Sequence, residues 1–383
     1  MSAPVRHVIL KIASRCNLNC RYCYLYNHTD RTALVQPKTL SEPVFEALLK
    51  RMAEHCERHR STMGLTLHGG EPTLIGLERF EHLVGKARAI LGDGLHALVL
   101  QTNATLLNDN WAGMLVRHGV DVGISLDGPP RVHDRVRVTH TGRGSHAETL
   151  RGIAALRRAG HAPKILCVVD PQEDGAEIYR HFRALGIECF DFLLPDVSHD
   201  NRTAFYGEAP HPVYDYLAPA LDAWMEENNP RVVIPLFTEL LRSLMSGEPV
   251  RSECFGNPTL NYVVVNTDGS IEPLDALKVC ADRLTDVGAN VFEHSFDSLA
   301  RRGDLLGDVL NGREALGPTC RACPRVDICG GGYLPHRYRR ANGFANPSVW
   351  CADIRLLLDD LERRILQAGS APAPGVNAAA VYA

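Results

Sequence analysis

The chain has 383 residues, 45% of them hydrophobic, which is enough to build one large domain and a smaller one. Its formal net charge of -4, without a basic stripe, excludes an electrostatic footprint for nucleic acid. No apolar run approaches the roughly 18 residues of a membrane span, and the opening MSAPVRHVILK lacks a signal peptide. We therefore expect a cytoplasmic protein with neither nucleic acid nor membrane as a partner.

Six apolar, β-rich stretches alternate with amphipathic helical stretches in the first 228 residues. Ser41 and Asn108 are predicted to begin two of the helices, and Ser145 with Glu148 is predicted to form a capping box. Near-continuous Val, Ile and Leu indicates parallel strands buried on both faces. The predicted strands are 6–13, 63–68, 95–102, 119–126, 162–169 and 187–194. Six βα units in a row predict an α/β fold, specifically a partial (β/α)6 barrel of the TIM type.

Changes in composition along the chain predict its division into domains. Residues 1–228 form the predicted barrel and 229–250 a connecting helix. Residues 251–367 are richer in cysteine and glycine and open with a hairpin-like stretch, which predicts a second domain. Residues 368–383 are predicted to be a disordered tail.

Three cysteines, Cys16, Cys20 and Cys23, form a CxxxCxxC run directly after the first predicted strand. Three thiolates can hold three irons of a four-iron cluster and leave the fourth iron open for chemistry. A zinc knot would need a fourth ligand, for which the nearest candidate, His28, lies in a predicted loop. A disulfide framework would need an oxidising compartment. Both alternatives remain open on the cysteine run alone.

Further motifs follow the next three strands, namely HGGEP at 68–72, TNATLL at 102–107 and SLDG at 125–128. Reacting groups of such barrels lie after the carboxyl ends of the strands, so one face should collect all four motifs. In this order, the motifs resemble those of the radical S-adenosylmethionine (radical SAM) enzymes. The resemblance implies that S-adenosylmethionine binds the open iron and is cleaved to a 5'-deoxyadenosyl radical that abstracts hydrogen from a substrate.

Carried over to this chain, the resemblance assigns the radical-generating 4Fe-4S cluster to the early cysteines. It implies that the two motif glycines let the backbone approach the methionyl amino group, with the following glutamate supporting their loop. For Arg137 it implies a carboxylate contact, while an exposed surface arginine is the alternative. The implied S-adenosylmethionine-binding residues are Tyr22, Gly69, Gly70, Glu71, Asn103, Ser125, Asp127 and Arg137. Of these, Tyr22 is expected beside the adenine, and Asn103 and Ser125 are expected toward the ribose or carboxylate.

A second constellation comprises Cys320, Cys323, Cys329 and Cys351. Four thiolates can close a 4Fe-4S cluster completely or bind one zinc ion. The region resembles the SPASM extension of radical SAM enzymes that modify peptides and proteins, which implies one auxiliary 4Fe-4S cluster here.

The chain departs from the full seven-cysteine SPASM pattern. Leu274 and Tyr333 occupy two expected cysteine positions. Cys254 stands where the first cysteine is expected, and Cys280 could be recruited beside it. By resemblance, Asp275 is a catalytic base, and the alternative is a hairpin-end aspartate that hydrogen-bonds its own backbone.

The glycine-rich segments 330–338 and 343–351 resemble those of FxsB-type and GRRM-type maturases, some of which form cyclophanes. The resemblance implies a precursor peptide as substrate, an intramolecular C-C crosslink as product, and flavodoxin or ferredoxin as electron donor. Alternatives are thioether formation, epimerisation, formylglycine generation in a sulfatase, and a non-catalytic iron-sulfur or zinc protein that binds peptides. The 17 histidines show no pair with metal-ligand spacing and a third partner.

Overall fold

The computed structural model describes residues 5–250, 252, 255, 260–312 and 316–368. The six predicted strands are confirmed, each to within two residues at either end. The strands are β1 (His7–Ala13), β2 (Met63–Gly69), β3 (Leu95–Thr102), β4 (Asp121–Ser125), β5 (Lys164–Val168), β6 (Cys189–Leu193), β7 (Tyr262–Val265), β8 (Ser270–Glu272) and β9 (Ala289–Asn290).

Helices separate the first six strands, as the alternating pattern predicts. They are α1 (Thr32–Val35), α2 (Glu42–His59), α3 (Leu77–Leu91), α4 (Asp109–Arg117), α5 (Pro130–Val136), α6 (His146–Arg158), α7 (Gly175–Ala184), α8 (Arg202–Tyr206), α9 (Pro212–Glu227), α10 (Pro235–Ser246), α11 (Phe296–Leu299), α12 (Leu305–Asn311), α13 (Pro318–Arg321), α14 (Val326–Cys329), α15 (Leu334–Arg337) and α16 (Cys351–Ala368). Short 3-10 helices occupy Pro72–Ile75, Gly92–Gly94 and Asp275–Val279.

The chain divides into two compact units. The first comprises Met1–Ser125, His133–Pro163 and Pro258–Arg313. Within it the strand order is β4-β3-β2-β1-β7-β8-β9. Strand β7 runs parallel to β1, with His7 opposite Tyr262, and β8 returns antiparallel as the predicted hairpin. The pairing of β7 with β1 brings the segment that follows the hairpin close to the first strand.

Helix α2 shows how the apolar pattern produces this unit. Ser41 is its N-cap residue and Pro43 lies in its first turn, where a missing N–H costs nothing. Phe45, Leu48 and Met52 recur at helical spacing and are fully buried. Each such side chain contributes about 1.5–3 kcal/mol of burial free energy.

The capping box predicted for Ser145 and Glu148 is wrong. Helix α6 begins after Ser145, but the Ser145 hydroxyl donates to the carbonyl of Arg137 at 2.7 Å, and Glu148 pairs with Arg143. The Asp134 carboxylate accepts the N–H groups of Ser145 and His146 instead, at 2.7 and 2.8 Å. A carboxylate from a neighbouring helix thus replaces the local capping box. At α4 the predicted Asn108 cap is confirmed, since its side chain accepts two backbone N–H groups.

The second unit comprises Leu126–Val132, Lys164–Asn257 and Glu314–Ala383. Strands β5 and β6 pair in parallel, and Phe190 and Phe192 of β6 pack edge to face, 5.8 Å apart. The Asp353 carboxylate of α16 accepts the N–H groups of Val213 and Tyr214 in the first turn of α9. Because both units are discontinuous in sequence, the linear domain division stays a prediction. None of the helices in the described ranges is long and apolar enough to cross a membrane.

Candidate functional site

The loop after β1 carries the three early cysteines and is held by backbone hydrogen bonds. The N–H of Cys23 donates to the carbonyl of Cys20 at 3.0 Å, and the N–H of Asn27 to that of Cys23 at 2.9 Å. Asn19 donates from its N–H to Val138 at 2.7 Å, which fastens the loop to the segment after α5. The ligand spacing is therefore set by a turn with fixed backbone contacts.

The thiols fit a multinuclear group better than a single ion. All three are free, which excludes the disulfide framework for these cysteines. One zinc ion with bonds of 2.3 Å would hold its sulfur ligands about 3.8 Å apart. Within the described residues, the three Sγ atoms of Cys16, Cys20 and Cys23 do not all come within 4.8 Å of one another. This spread disfavours the zinc knot.

Burial opposes ionisation of these thiols in the absence of a cation. It raises the pKa of Cys16 strongly and that of Cys23 to about 12. Iron binds the deprotonated form, so cluster binding would reverse these shifts. The backbone N–H of Leu18 already donates to Cys16 Sγ at 3.4 Å, which stabilises the thiolate.

The two glycines after β2 allow the second loop to lie against the cysteine loop. A Cβ on Gly69, whose φ is +152°, would lie 2.1 Å from the carbonyl oxygen of Ala13. A Cβ on Gly70 would lie 2.1 Å from the Tyr26 hydroxyl and 2.4 Å from the Arg15 carbonyl oxygen. The packing of the two loops is by itself sufficient to explain glycine at both positions. The contact of these glycines with S-adenosylmethionine therefore stays a prediction.

Glu71 connects the loops after β2 and β3. Its side chain is fully buried and accepts the N–H and hydroxyl of Thr73 at 3.0 and 2.6 Å. It also accepts the Thr102 hydroxyl at 2.7 Å and the Asn103 N–H at 2.9 Å. Burial nevertheless raises the pKa of Glu71. These hydrogen bonds join the two loops, and the role of Glu71 toward S-adenosylmethionine stays a prediction.

Asn103 directly follows β3, and Ser125 is the last residue of β4. The Asn103 amide donates to the Asn17 side chain at 2.9 Å and lies 3.9 Å from Cys16 Sγ, beside the cysteine loop. Ser125 accepts the Gln101 amide at 3.2 Å. Asp127 belongs to the second unit, where its carboxylate accepts the N–H of Val168 at 3.1 Å. Their roles toward the cofactor stay predictions.

Arg137 and Tyr22 lie together in the first unit. The Arg137 guanidinium carbon is 5.3 Å from the centroid of the Tyr22 ring, a cation–π arrangement. Arg137 is buried, which contradicts the alternative of an exposed surface arginine. A buried guanidinium stacked on an aromatic ring suits a fixed anion-binding role.

Asp275 lies at the start of the 3-10 helix after β8, and three side chains that sequence reasoning missed lie around it. Lys11 of β1 donates to its carboxylate, and the Tyr24 hydroxyl donates at 2.9 Å. Lys11 also lies 3.3 Å from His68 Nδ1. Asp275 thus bonds to side chains and not to its own backbone, which contradicts the turn alternative. A lysine inside the apolar strand HVILKIA is the signal that could have found this cluster.

The charges of this buried cluster are coupled. Burial alone would raise the pKa of Asp275, but Lys11 and His68 lower it to about 2. Burial lowers the pKa of His68 to about 3, and Lys11 acts in the same direction. The Lys11 ammonium also opposes the rise in the pKa of Cys23. Asp275 and a cluster cysteine therefore share one cationic neighbour.

The second cysteine set lies in the second unit. Cys320 is in α13, Cys329 ends α14 and Cys351 begins α16, while Cys323 follows α13. All four thiols are free, and no three of their Sγ atoms lie mutually within 4.8 Å in the described part of the chain. Burial raises the pKa of Cys329 to about 12. As in the first set, the thiols are farther apart than the sulfur ligands of one zinc ion would be.

The two departures from the SPASM cysteine pattern are core positions. Leu274 in the first unit and Tyr333 in the second are both buried. Cys280 is also buried, whereas Cys254 lies outside the described residues.

The region that carries these loops is similar to known proteins. A family model described as the Radical SAM superfamily matches residues 10–185, a range that holds the cysteine loop, the glycine loop and the ends of β3 and β4. The chain belongs to the radical SAM superfamily. As a radical SAM enzyme it uses S-adenosylmethionine and a radical-generating 4Fe-4S cluster.

Relatives extend over most of this radical SAM chain. It is 27% identical over 336 residues to the cysteine-type anaerobic sulfatase-maturating enzyme of Clostridium perfringens strain 13, covering 86% of this chain and 88% of the relative. It is 34% identical over 368 residues to an uncharacterized protein of Synechocystis, covering 92% and 89%. Native anSMEcpe with bound AdoMet and Cp18Cys peptide matches with a TM-score of 0.81 and 23% identity, over 96% of this chain and 99% of that one. The likeness confirms the predicted fold.

Proposed function

We propose that this radical SAM enzyme oxidises a side chain of a peptide or protein substrate by two electrons. One hydrogen atom passes from a side-chain carbon to the 5'-deoxyadenosyl radical, and the substrate radical then gives an electron to the auxiliary 4Fe-4S cluster and a proton to a base. The observation that carries the proposal is the buried Asp275, which is ionised and shares Lys11 with the cluster loop. A fixed carboxylate beside the cysteine loop is suited to receive that proton.

Residues of the first unit are proposed to hold the reacting groups. Cys16, Cys20 and Cys23 would ligate the cluster, and S-adenosylmethionine supplies the 5'-deoxyadenosyl radical when bound. Glu71 keeps the loops after β2 and β3 in place through its four accepted hydrogen bonds. Arg137, buried and stacked on Tyr22, would bind a carboxylate through its guanidinium.

Lys11 and Tyr24 have a positioning role in this proposal. Both donate to the Asp275 carboxylate, so its orientation is fixed before the substrate binds. Lys11 also keeps this carboxylate ionised. An ionised carboxylate can accept a proton from the oxidised substrate at neutral pH, although its low pKa makes it a weak base.

For the product, we propose an intramolecular C-C crosslink on an aromatic residue of a precursor peptide. The cysteine set supports this choice, because Leu274 and Tyr333 make the chain depart from the seven-cysteine pattern usual in sulfatase-maturing enzymes. Formylglycine generation is the second candidate, and the sulfatase-maturating relatives favour it. Thioether formation and epimerisation share the same motifs. A cytoplasmic location and a flavodoxin or ferredoxin donor belong to this proposal.

The first experiment asks whether a peptide is the substrate. Anaerobically reconstituted enzyme would be reduced and incubated with S-adenosylmethionine, with or without peptide. The peptides would be Cp18Cys, named with the related structure, and an aromatic-rich peptide encoded beside the gene. We expect one peptide to increase 5'-deoxyadenosine formation and to change in mass. Nucleoside formation that neither peptide alters, with both peptides recovered intact, would contradict a peptide substrate.

The second experiment identifies the product. A crosslink and a formylglycine made from serine both lose two hydrogens, whereas formylglycine made from cysteine also exchanges sulfur for oxygen. Only the formylglycines carry an aldehyde that a hydrazide probe captures. A peptide lighter by two hydrogens, inert to the probe and linked through an aromatic residue with every cysteine thiol still free to alkylate, supports the C-C crosslink. The same mass with one thiol lost indicates a thioether. Capture by the probe supports formylglycine.

A further inference from the structure

A third group of metal-ligating side chains lies away from the cysteines, in the first unit. His55 and His59 are one turn apart on α2, and Asp297 lies in the first turn of α11. The expectation that no histidine pair has metal-ligand spacing with a third partner is therefore wrong. Residues four apart on a helix share one face, and here the third ligand comes from a distant part of the chain.

The three ligand atoms are close enough for one ion. Asp297 Oδ1 is 2.6 Å from His59 Nε2 and 3.1 Å from His55 Nδ1. One ligand atom from each residue lies within 4.8 Å of the other two. A tetrahedral zinc ion with bonds near 2.1 Å spaces its ligands about 3.4 Å apart. To reach this spacing, the distance from Asp297 Oδ1 to His59 Nε2 would have to widen appreciably, whereas the distance to His55 Nδ1 is already close to it.

Neighbouring side chains already orient these ligands. His55 is buried and its ring meets Phe296 edge to face at 5.8 Å between centroids. Arg58 lies 3.1 Å from Asp297 Oδ2, so it satisfies the second carboxylate oxygen and leaves Oδ1 between the two imidazoles. Such contacts to the far side of a ligand fix its direction toward a metal.

We propose that His55, His59 and Asp297 bind a zinc ion with water as the fourth ligand. Two imidazoles and one carboxylate form an established zinc donor set, and the side chain of His59 is 35% exposed, which leaves a route for solvent. The ion would tie α11 to α2. It would thereby anchor residues 260–312, which include Asp275, to α2.

The test measures zinc and iron on full-length, anaerobically reconstituted protein. Each sample is equilibrated with zinc, desalted, and assayed for both metals by mass spectrometry. His59→Gln removes one ligand at a partly exposed site, and His82→Gln is the matched control, an exposed histidine of α3 that pairs with Glu42. We expect wild type and the control to retain about one zinc per chain more than His59→Gln, with equal iron in all three. Zinc should also raise the melting temperature of wild type and not of His59→Gln.

Two further measurements keep the proposal open to refutation. Asp297→Asn should lose zinc in the same way, which guards against a folding defect in His59→Gln. Zinc K-edge absorption of wild type should show nitrogen and oxygen donors without sulfur. Equal zinc in all variants, no retained zinc in wild type, or sulfur donors at the zinc would overturn the site. In those cases the three residues would be only a hydrogen-bonded His–Asp cluster.

Discussion

The two cysteine sets differ in where their ligands come from. Cys16, Cys20 and Cys23 lie on one loop after β1, whereas the later set comes from α13, α14, α16 and the turn after α13. In the function proposed above, the short loop would supply three ligands and leave one iron for a small molecule, whereas four ligands from separate elements would close a cluster. The number of thiols in each set would then decide whether its cluster generates a radical or transfers electrons.

The surroundings of the two sets differ as well. The early loop is closely packed by Gly69 and Gly70, where any side chain would collide with backbone or with the Tyr26 hydroxyl. After Cys329 three successive glycines have positive φ, so there the chain uses glycine to turn. In the first set glycine permits contact between loops, and in the second it permits a change of direction.

The largest expected effect is the loss of the first cluster. Cys20→Ala should lower bound iron by about half and reduce 5'-deoxyadenosine and modified peptide to background, because only two ligands remain. Iron analysis and chromatography of the nucleoside check this. Cys56→Ala, on α2, should leave both values unchanged. Turnover that survives Cys20→Ala would mean that the radical centre lies elsewhere.

Loss of the second cluster should separate S-adenosylmethionine cleavage from peptide modification. Cys323→Ala should also remove about half of the iron, yet S-adenosylmethionine cleavage should persist while peptide product falls to background. The ratio of product to 5'-deoxyadenosine is the measurement. If that ratio equals the wild-type ratio, the later cysteines serve stability alone.

Asp275→Asn tests the proposed base. Removing the carboxylate should lower product formation by about 100-fold and leave S-adenosylmethionine cleavage measurable. It also leaves Lys11 buried without its partner, which costs about 3–5 kcal/mol of stability. Asp286→Asn, at an exposed carboxylate that pairs with Arg283, is the control. It should change neither product formation nor stability. A normal product yield from folded Asp275→Asn would remove the carboxylate from the mechanism.

The same carboxylate predicts a pH dependence of stability. Its pKa is about 2 in the folded chain against an ordinary value near 4, so its contribution is complete above pH 4 and is lost as the pH falls toward 2. Denaturant midpoints between pH 6 and 3 should therefore fall more in wild type than in Asp275→Asn. Parallel curves would contradict the coupling with Lys11.

The smallest effect probes packing around the early cysteines. Gly70→Ala should lower the free energy of unfolding by about 1–3 kcal/mol, because its Cβ would lie 2.1 Å from the Tyr26 hydroxyl. Gly85→Ala, in α3 with open space around it, should be neutral or stabilising by up to about 1 kcal/mol. Urea titration of both variants checks the difference. Equal midpoints would show that the loops adjust to a methyl group.

Local signals made much of this molecule predictable from sequence. The strands follow from continuous apolar runs, and the motifs at Cys16, Glu71 and Asn103 fall at strand ends as expected. The missed features depend on residues far apart in the chain. Lys11 meets Asp275 only because β7 pairs with β1, and Asp134 caps α6 from a neighbouring helix. The local pattern marks Lys11 as a charge inside an apolar strand, but it does not identify the partner.

The pairing of β7 with β1 has a consequence for synthesis on the ribosome. The first strand is made early, but its partner, from residue 262 onward, emerges only after most of the chain has been translated. Until then one edge of β1 presents unpaired backbone groups, which favour association with other chains. Nascent chains stalled before residue 262 should therefore bind chaperones more strongly than chains released after it.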